Sequence, residues 1–348
     1  MNTQRTVVVA IGGNALVQQN QRGTFAEQLA NVQESADTLA ELVRRGYRLI
    51  VTHGNGPQVG NLYLRTDIRD EPLTAMPLDV CGAETQGQIG YVIETALTNA
   101  LHRIGLDIPV VTVVTRVEVG ADDPNFANPT KPVGPFYSRA ELEEKLAEKP
   151  FDYIEDSGRG FRRVVASPEP VVILQEQTIR ALCASGTVVI AGGGGGIPVV
   201  RTSDGLYFGV EAVIDKDRTA ALLASVIQAD FLLILTGVEK VAVNFNKPDM
   251  QEFDRMTVSE AAGYLAAGQF PPGSMGPKME AAMRFAASGK GCAVITTLAG
   301  AADALAGITG TRIVSDAFCP GRIVPERLCE RQDRSGAGYR APQRADKE

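Results

Sequence analysis

Apolar residues run along this chain in two alternating rhythms. Thr6 to Ile11 is a continuous, largely β-branched run ending at Gly12-Gly13-Asn14, the form of a buried parallel strand opening into a tight loop. Phe25, Leu29, Val32, Ala36, Leu39 and Val43 then recur at steps of four and three, the stripe of an amphipathic helix. Thr24 is placed to cap that helix and Gly46 to end it. Tyr47 to Thr52 predicts a second strand, again closing on a loop, His53-Gly54-Asn55-Gly56-Pro57. Together these segments predict a βαβ unit.

The rhythm continues with a helix over Ala83 to Ile104, carrying Ile89, Ile93, Leu97, Leu101 and Ile104 on one side, and a strand over Pro109 to Thr115. Residues 117–170 break it. They are richer in proline and charge and predict a small inserted lobe. Alternation returns with a helix near 175–185, a strand over Thr187 to Ala191, and the glycine run Gly192 to Gly196. A helix at about 215–228 leads to the strand Phe231 to Leu235. Helices near 257–267 and 277–288 flank a strand at Cys292 to Thr296, and Thr311 to Val314 predicts the last one. The pattern predicts a three-layer α/β/α sandwich around an open, mainly parallel sheet. The main domain spans residues 1–316, with the lobe inserted at about 117–170. Residues 317–348 are polar and aperiodic and read as a flexible tail.

Composition narrows the chemistry. Of 348 residues, only two are histidine, His53 and His102, so a multi-imidazole zinc site is nearly excluded by count. Five scattered cysteines with no C-x-x-C pair argue against a disulfide framework or metal cluster and fit a reducing, cytoplasmic setting. The formal charge of −7 argues against nucleic acid or an anionic membrane as partner. No apolar run approaches the ~18 residues that span a bilayer. The tail carries +2, leaving the main domain at −9. An acidic domain that binds anions has to concentrate its cations at the site.

The 36 glycines exceed the usual share and cluster in three loops that follow predicted strands: Gly12-Gly13-Asn14, Gly54-Asn55-Gly56 and Gly192 to Gly196. Any one such loop is explained by a tight turn. Three at strand ends, where open α/β sheets bind ligands, point to a polyanion cradled by backbone N–H groups, with a helix start adding a positive dipole. No G-x-x-x-x-G-K-[ST] occurs, which excludes a P-loop; G-x-G-x-x-G is missing too, so a Rossmann dinucleotide reading loses its main support, and there is no H-E-x-x-H or G-x-S-x-G. Candidate cations are Lys216, flanked by Asp215 and Asp217 and held by their charge, Lys278 at a helix start, and Lys131 between two prolines. Spacing alone reaches a nucleotide or phosphate enzyme.

Longer strings carry a resemblance. AIGGNAL (10–16), THGNGPQVGNL (52–62), MPLDVCGAETQGQIGY (76–91), NPTKPVGPF (128–136), EDSGRGFRRVVASPEP (155–170), GGGGIPVV (193–200), GVEAVIDKD (209–217), LTGVEKV (235–241) and PGSMGPK (272–278) occur in this order. The chain thereby resembles carbamate kinases of the amino-acid-kinase family from about Thr6 to Val314. The resemblance implies a homodimer and reversible phosphoryl transfer between carbamoyl phosphate and ADP, giving ATP and carbamate. It implies Mg²⁺ as cofactor, bound mainly through the nucleotide phosphates. Lys216 and Lys278 would hold the transferring group, Asp217 would orient them, and Lys131 would reach in from the lobe. Gly12, Gly13, Asn14, Gly54, Asn55 and Gly56 would cradle phosphoryl and carbamate, with Gly193, Gly194, Gly195 and Gly196 lining the centre. Thr236, Gly237, Val238 and Met275 would meet the nucleotide. Three departures are Phe161, where the family often has tryptophan, Gly192, where it commonly has a larger residue, an expectation of extra freedom in that loop, and residues 317–348, which match no part of the family pattern. The alternatives are a kinase of another small carboxylate or phosphonate on the same fold, and a non-catalytic nucleotide-binding regulatory dimer.

Overall fold

The structure, a computed structural model, describes residues 4–13, 16, 21, 23–66, 76–148, 152–155 and 160–317. Its first βαβ unit is β1 (Thr6–Ile11), α1 (Phe25–Arg44) and β2 (Arg48–His53). Helices α2 (Gly56–Thr66) and α3 (Leu78–Arg103) lead to β3 (Val110–Val113) and β4 (Arg116–Val119). The excursion that follows holds β5 (Lys131–Tyr137), α4 (Arg139–Glu148), β6 (Tyr153–Glu155) and β7 (Phe161–Val165). The chain returns through β8 (Pro170–Ile173), α5 (Glu176–Ala184), β9 (Val188–Ala191), β10 (Ile197–Arg201) and β11 (Tyr207–Gly209). The second half runs α6 (Lys216–Ile227), β12 (Phe231–Leu235), β13 (Val241–Val243), β14 (Gln251–Phe253), β15 (Arg255–Thr257), α7 (Val258–Ala266) and α8 (Met275–Ala286). It closes with β16 (Cys292–Thr296), α9 (Ala301–Ala306) and β17 (Thr311–Val314).

Eight strands form the central sheet in the order β15-β17-β16-β12-β1-β2-β9-β3. All neighbours pair in parallel except β16 with β17. Helices α5, α6, α7 and α8 pack together on one face, and α1, α3 and α9 on the other. The strands are apolar on both sides for that reason. Val8 and Ala10 of β1 join the core with Leu223, Ala224 and Phe285, whereas Ile11 meets Val32, Ala36, Leu39 and Ile93. Thr24 caps α1 through a reciprocal bond with Glu27, and Gly46 ends it at φ +90°. The stripe deviates at one end, because Phe25 is exposed.

The excursion is narrower than the 117–170 expected from composition. Strands β4 and β8 belong to a second sheet, β11-β10-β4-β8, in which β4 pairs in parallel with the distant β10. The lobe proper is the small sheet β5-β7-β6 with α4, and it rests on α2, where Gly60 faces the Gly134 backbone too closely to admit a Cβ. Among the described residues no helix is long and apolar enough to cross a membrane. Cys81, Cys183 and Cys292 are free and buried. Residues from 318 onward, the bulk of the expected tail, lie outside the described residues.

Candidate active site

Three adjacent parallel strands, β12, β1 and β2, end at the same edge of the sheet, and their loops meet there. A Cβ on Gly12 would stand 3.1 Å from the Leu235 carbonyl at the end of β12. One on Gly54 would stand 3.8 Å from the Gly13 backbone and 3.9 Å from the Lys216 side chain. Gly13 and Gly56, by contrast, have open space where a side chain would begin. Gly56 also opens α2, so backbone N–H groups and a helix dipole face the region beyond β2. Asn14 lies outside the described residues.

Above these loops sits a cluster of five charged groups. Asp217 Oδ1 accepts from Lys216 Nζ at 2.8 Å, and its Oδ2 accepts from Lys278 Nζ at 3.0 Å. One carboxylate therefore bridges two ammonium groups that would otherwise repel, and all three side chains are largely buried. Burial alone would raise the Asp217 carboxyl, but Lys216 and Lys278 together hold it far below the ordinary carboxylate range. Burial, helped by the charge of Lys278, lowers the Lys216 ammonium against the pull of Asp217. Asp215 does something the sequence did not reveal. Instead of hydrogen-bonding its neighbour Lys216, it caps α6 through the N–H groups of Asp217 and Arg218, and accepts from Lys131 Nζ at 2.6 Å. Lys131 comes from β5 in the lobe, so the lobe lysine reaches the same helix start as Lys216. Three cations against two anions leave this cluster one positive charge inside an acidic protein, the sign a transferring phosphoryl group requires.

A cavity of about 720 Å³ adjoins the cluster. Gly12, Gly13 and Lys278 form one part of its wall, and Thr236, Gly237, Val238 and Met275 another. Lys278 is thus common to the cavity and the lysine cluster. The volume lies in the range of small-molecule and cofactor sites. Lys240, Phe245, Phe270 and Pro271 also line it. None of these four is visible in sequence periodicity, because they come from loops and from the irregular stretch before α8.

The glycine run is closely packed. Gly193, Gly194, Gly195 and Gly196 are all buried. Cβ atoms there would fall 2.4 Å from the His53 ring, 2.2 Å from the Asn55 amide, 2.2 Å from the Ile214 carbonyl and 2.2 Å from Val117. No α-helix follows; the run makes a short 3-10 turn and passes into β10, so it contributes no helix dipole. Gly192 is pinned, not free: its N–H donates to Thr115 Oγ1 at 3.0 Å and its carbonyl accepts from Thr52 Oγ1 at 2.9 Å. Thr219 of α6 binds the Gly195 carbonyl at 2.7 Å. The run is therefore a close-packed seat for α6 and for the β2 loop. Asn55 donates its amide to Thr85 of α3 at 2.9 Å, which fixes that loop further. His53 is fully buried and its pKa is pushed down to about 4, by burial first and by Lys216 as well. The neutral ring meets the Gly54 carbonyl through Nδ1 at 3.1 Å.

Among the described residues no group of three or more His, Cys, Asp or Glu could hold a metal ion. Asp215 and Asp217 are each engaged by lysines.

Comparison with known proteins agrees with this geometry. Residues 5–297 match the model of the amino acid kinase family. The chain is 47% identical over 315 residues to a carbamate kinase of Thermococcus kodakarensis, covering 90% of this chain and all of that protein. It is 49% identical over 311 residues to a carbamate kinase-like protein of Escherichia coli, covering 88% and 98%. A carbamate kinase from Giardia lamblia bound to AMP-PNP superposes with a TM-score of 0.83 at 40% identity, covering 91% of this chain and all of that one. With a phosphoryl-sized cluster of lysines beside a nucleotide-sized cavity, and with matches of this extent, the chain belongs to the amino acid kinase family and, within it, to the carbamate kinases.

Proposed function

We propose that this phosphotransferase moves a phosphoryl group reversibly between carbamoyl phosphate and ADP, yielding ATP and carbamate. The observation that carries the reading is the Lys216–Asp217–Lys278 bridge at the carboxyl ends of β12, β1 and β2, sharing Lys278 with the cavity. In the forward step an oxygen of the ADP β-phosphate attacks phosphorus and forms the new P–O bond. The bond from phosphorus to the carbamoyl oxygen breaks, and carbamate leaves with that electron pair. No proton must be removed from either reactant, so no protein base is required. That suits a site whose single nearby imidazole is buried and neutral.

Catalysis of this kind rests on positioning and charge neutralisation. Lys216 and Lys278 bind the phosphoryl oxygens, and Asp217 keeps both ammonium groups aimed. Lys131, released from Asp215, closes over the carbamoyl end. Backbone N–H groups at Gly12, Gly13, Asn14, Gly54, Asn55 and Gly56 receive phosphate and carbamate oxygens. Gly193, Gly194, Gly195 and Gly196 act from behind by holding α6 and the β2 loop. Thr236, Gly237, Val238 and Met275 contact ADP. Mg²⁺, when bound through the nucleotide phosphates, would add charge neutralisation there. The enzyme works as a cytoplasmic homodimer on small molecules. A coupled assay for ATP formed from carbamoyl phosphate and ADP tests the reading; ATP production supports it, and ADP binding without transfer refutes it.

A further inference from the structure

The three lysines stand on three different elements: Lys131 on the lobe strand β5, Lys216 on α6 and Lys278 on α8. A lysine is a point charge on a flexible stem, so the accuracy of its placement depends on the backbone that carries it. One residue outside the lysine cluster ties α6 and α8 to the point where the chain leaves the lobe. Arg218 follows Asp217 on α6, and its guanidinium reaches Glu169 Oε1 through Nη1 at 2.5 Å and Glu280 Oε2 through Nη2 at 3.2 Å. Glu280 lies on α8, two residues after Lys278. The second oxygen of Glu169 accepts from Arg284 Nη1, also on α8, at 2.9 Å.

Glu169 stands where the chain leaves the lobe, immediately before β8. Its backbone N–H donates to Asp123 Oδ2 at 2.8 Å, and Asp123 caps the short turn Pro124–Phe126 through which the chain enters the excursion. The connections through which the chain enters and leaves the excursion are thereby tied to each other and then, through one planar fork, to α6 and α8. The fork geometry sets direction as well as distance, which a lysine in its place could not do.

We infer that Arg218 is a positioning residue that sets where the lobe delivers Lys131 relative to Lys216 and Lys278, with Glu169 as its partner at the lobe root. This rests on the reading that the three lysines act on one phosphoryl group. Partly exposed ion pairs add little to stability, so a clamp of this kind should register in turnover more than in melting. Misplacing a reacting group by about 1 Å is enough for losses on the order of a hundredfold.

The test uses the full-length chain with Arg218→Gln, Arg218→Lys and Glu169→Gln, the first and third also combined with Lys131→Ala. Arg218→Gln is expected to lower kcat by about tenfold or more while changing ADP affinity by less than about twofold. Arg218→Lys should restore only part of the loss. Once Lys131 is alanine, Arg218→Gln should cost nothing further, because it acts through that lysine. Hydrogen exchange in residues 131–137 and 161–165 should speed up in Arg218→Gln. Independent, additive losses with Lys131→Ala would overturn the inference, as would unchanged kcat with only a lower melting temperature, or unchanged lobe exchange. If Arg218→Gln does not fold, Glu169→Gln should give the same pattern at smaller size, and its additivity with Lys131→Ala would overturn it equally. A wild-type chain that makes no ATP refutes the reaction instead, and the exchange measurement then decides the clamp on its own.

Discussion

Two glycine-rich regions that look alike in sequence behave in opposite ways. At Gly13 and Gly56 the space a side chain would enter is open, and Gly54 between them lies beside the Lys216 side chain. At Gly193 to Gly196 that space is filled by His53, Asn55, Ile214 and Val117; Thr219 bonds the Gly195 carbonyl, and Thr52 and Thr115 hold the preceding Gly192. Close approach of neighbouring groups requires glycine at 193–196, whereas at Gly13 and Gly56 no neighbouring atom would meet a side chain. The contrast teaches that a glycine run marks where backbone must come near something, and leaves open whether that is ligand or protein.

Substitutions separate the two roles. Gly195→Ala adds a methyl against the Ile214 carbonyl at φ +94°, so it should cost about 3 kcal/mol or more of stability, or prevent folding. Denaturant unfolding reads this, and wild-type stability in that variant would break the comparison. His53, locked behind the same run, makes stability pH-dependent. Its folded pKa of about 4 lies below the ordinary 6.5, so between these values the unfolded chain binds a proton that the folded one does not. Stability should therefore fall as pH drops through that window, by roughly 3 kcal/mol in all, and His53→Gln should flatten this part of the profile.

Gly13→Ala lies on the open side. It should leave stability within about 0.5 kcal/mol yet reduce kcat/KM by about tenfold to a hundredfold, as steady-state kinetics would register. If it destabilised the protein and spared turnover, the two regions would not differ as described. The smallest effect is expected far from both: Thr24→Ala removes the α1 capping box and should cost about 1 kcal/mol in unfolding, with turnover unchanged.

Local signals were legible in the sequence and distant pairings were not. Strands Cys292–Thr296 and Thr311–Val314 appear with the bounds that their apolar runs predicted. Thr24 and Gly46 bound α1 as capping chemistry requires. Helix α3, however, begins at Leu78, five residues before the predicted start, because Pro77 supplies the N-terminal turn ahead of the apolar stripe. The sheet β11-β10-β4-β8 was missed, since β4 finds β10 across some 80 residues and Tyr207 and Phe208 of β11 remain exposed. The site divides the same way. Lys131, Lys216, Asp217 and Lys278 could be singled out from motif strings. That Asp215 would serve Lys131, and that Arg218 would join Glu169 to Glu280, depends on contacts no local pattern encodes.

The central claim is that the Lys216–Asp217–Lys278 bridge neutralises a phosphoryl group passing from carbamoyl phosphate to ADP. The direct measurement is ATP formation from those two substrates by wild type, Lys216→Ala and Lys278→Ala, with ADP binding measured on each. The account predicts ATP from wild type and a loss of about 10³-fold or more in kcat for each lysine variant, with folding retained. Turnover at the wild-type rate in both variants would contradict it.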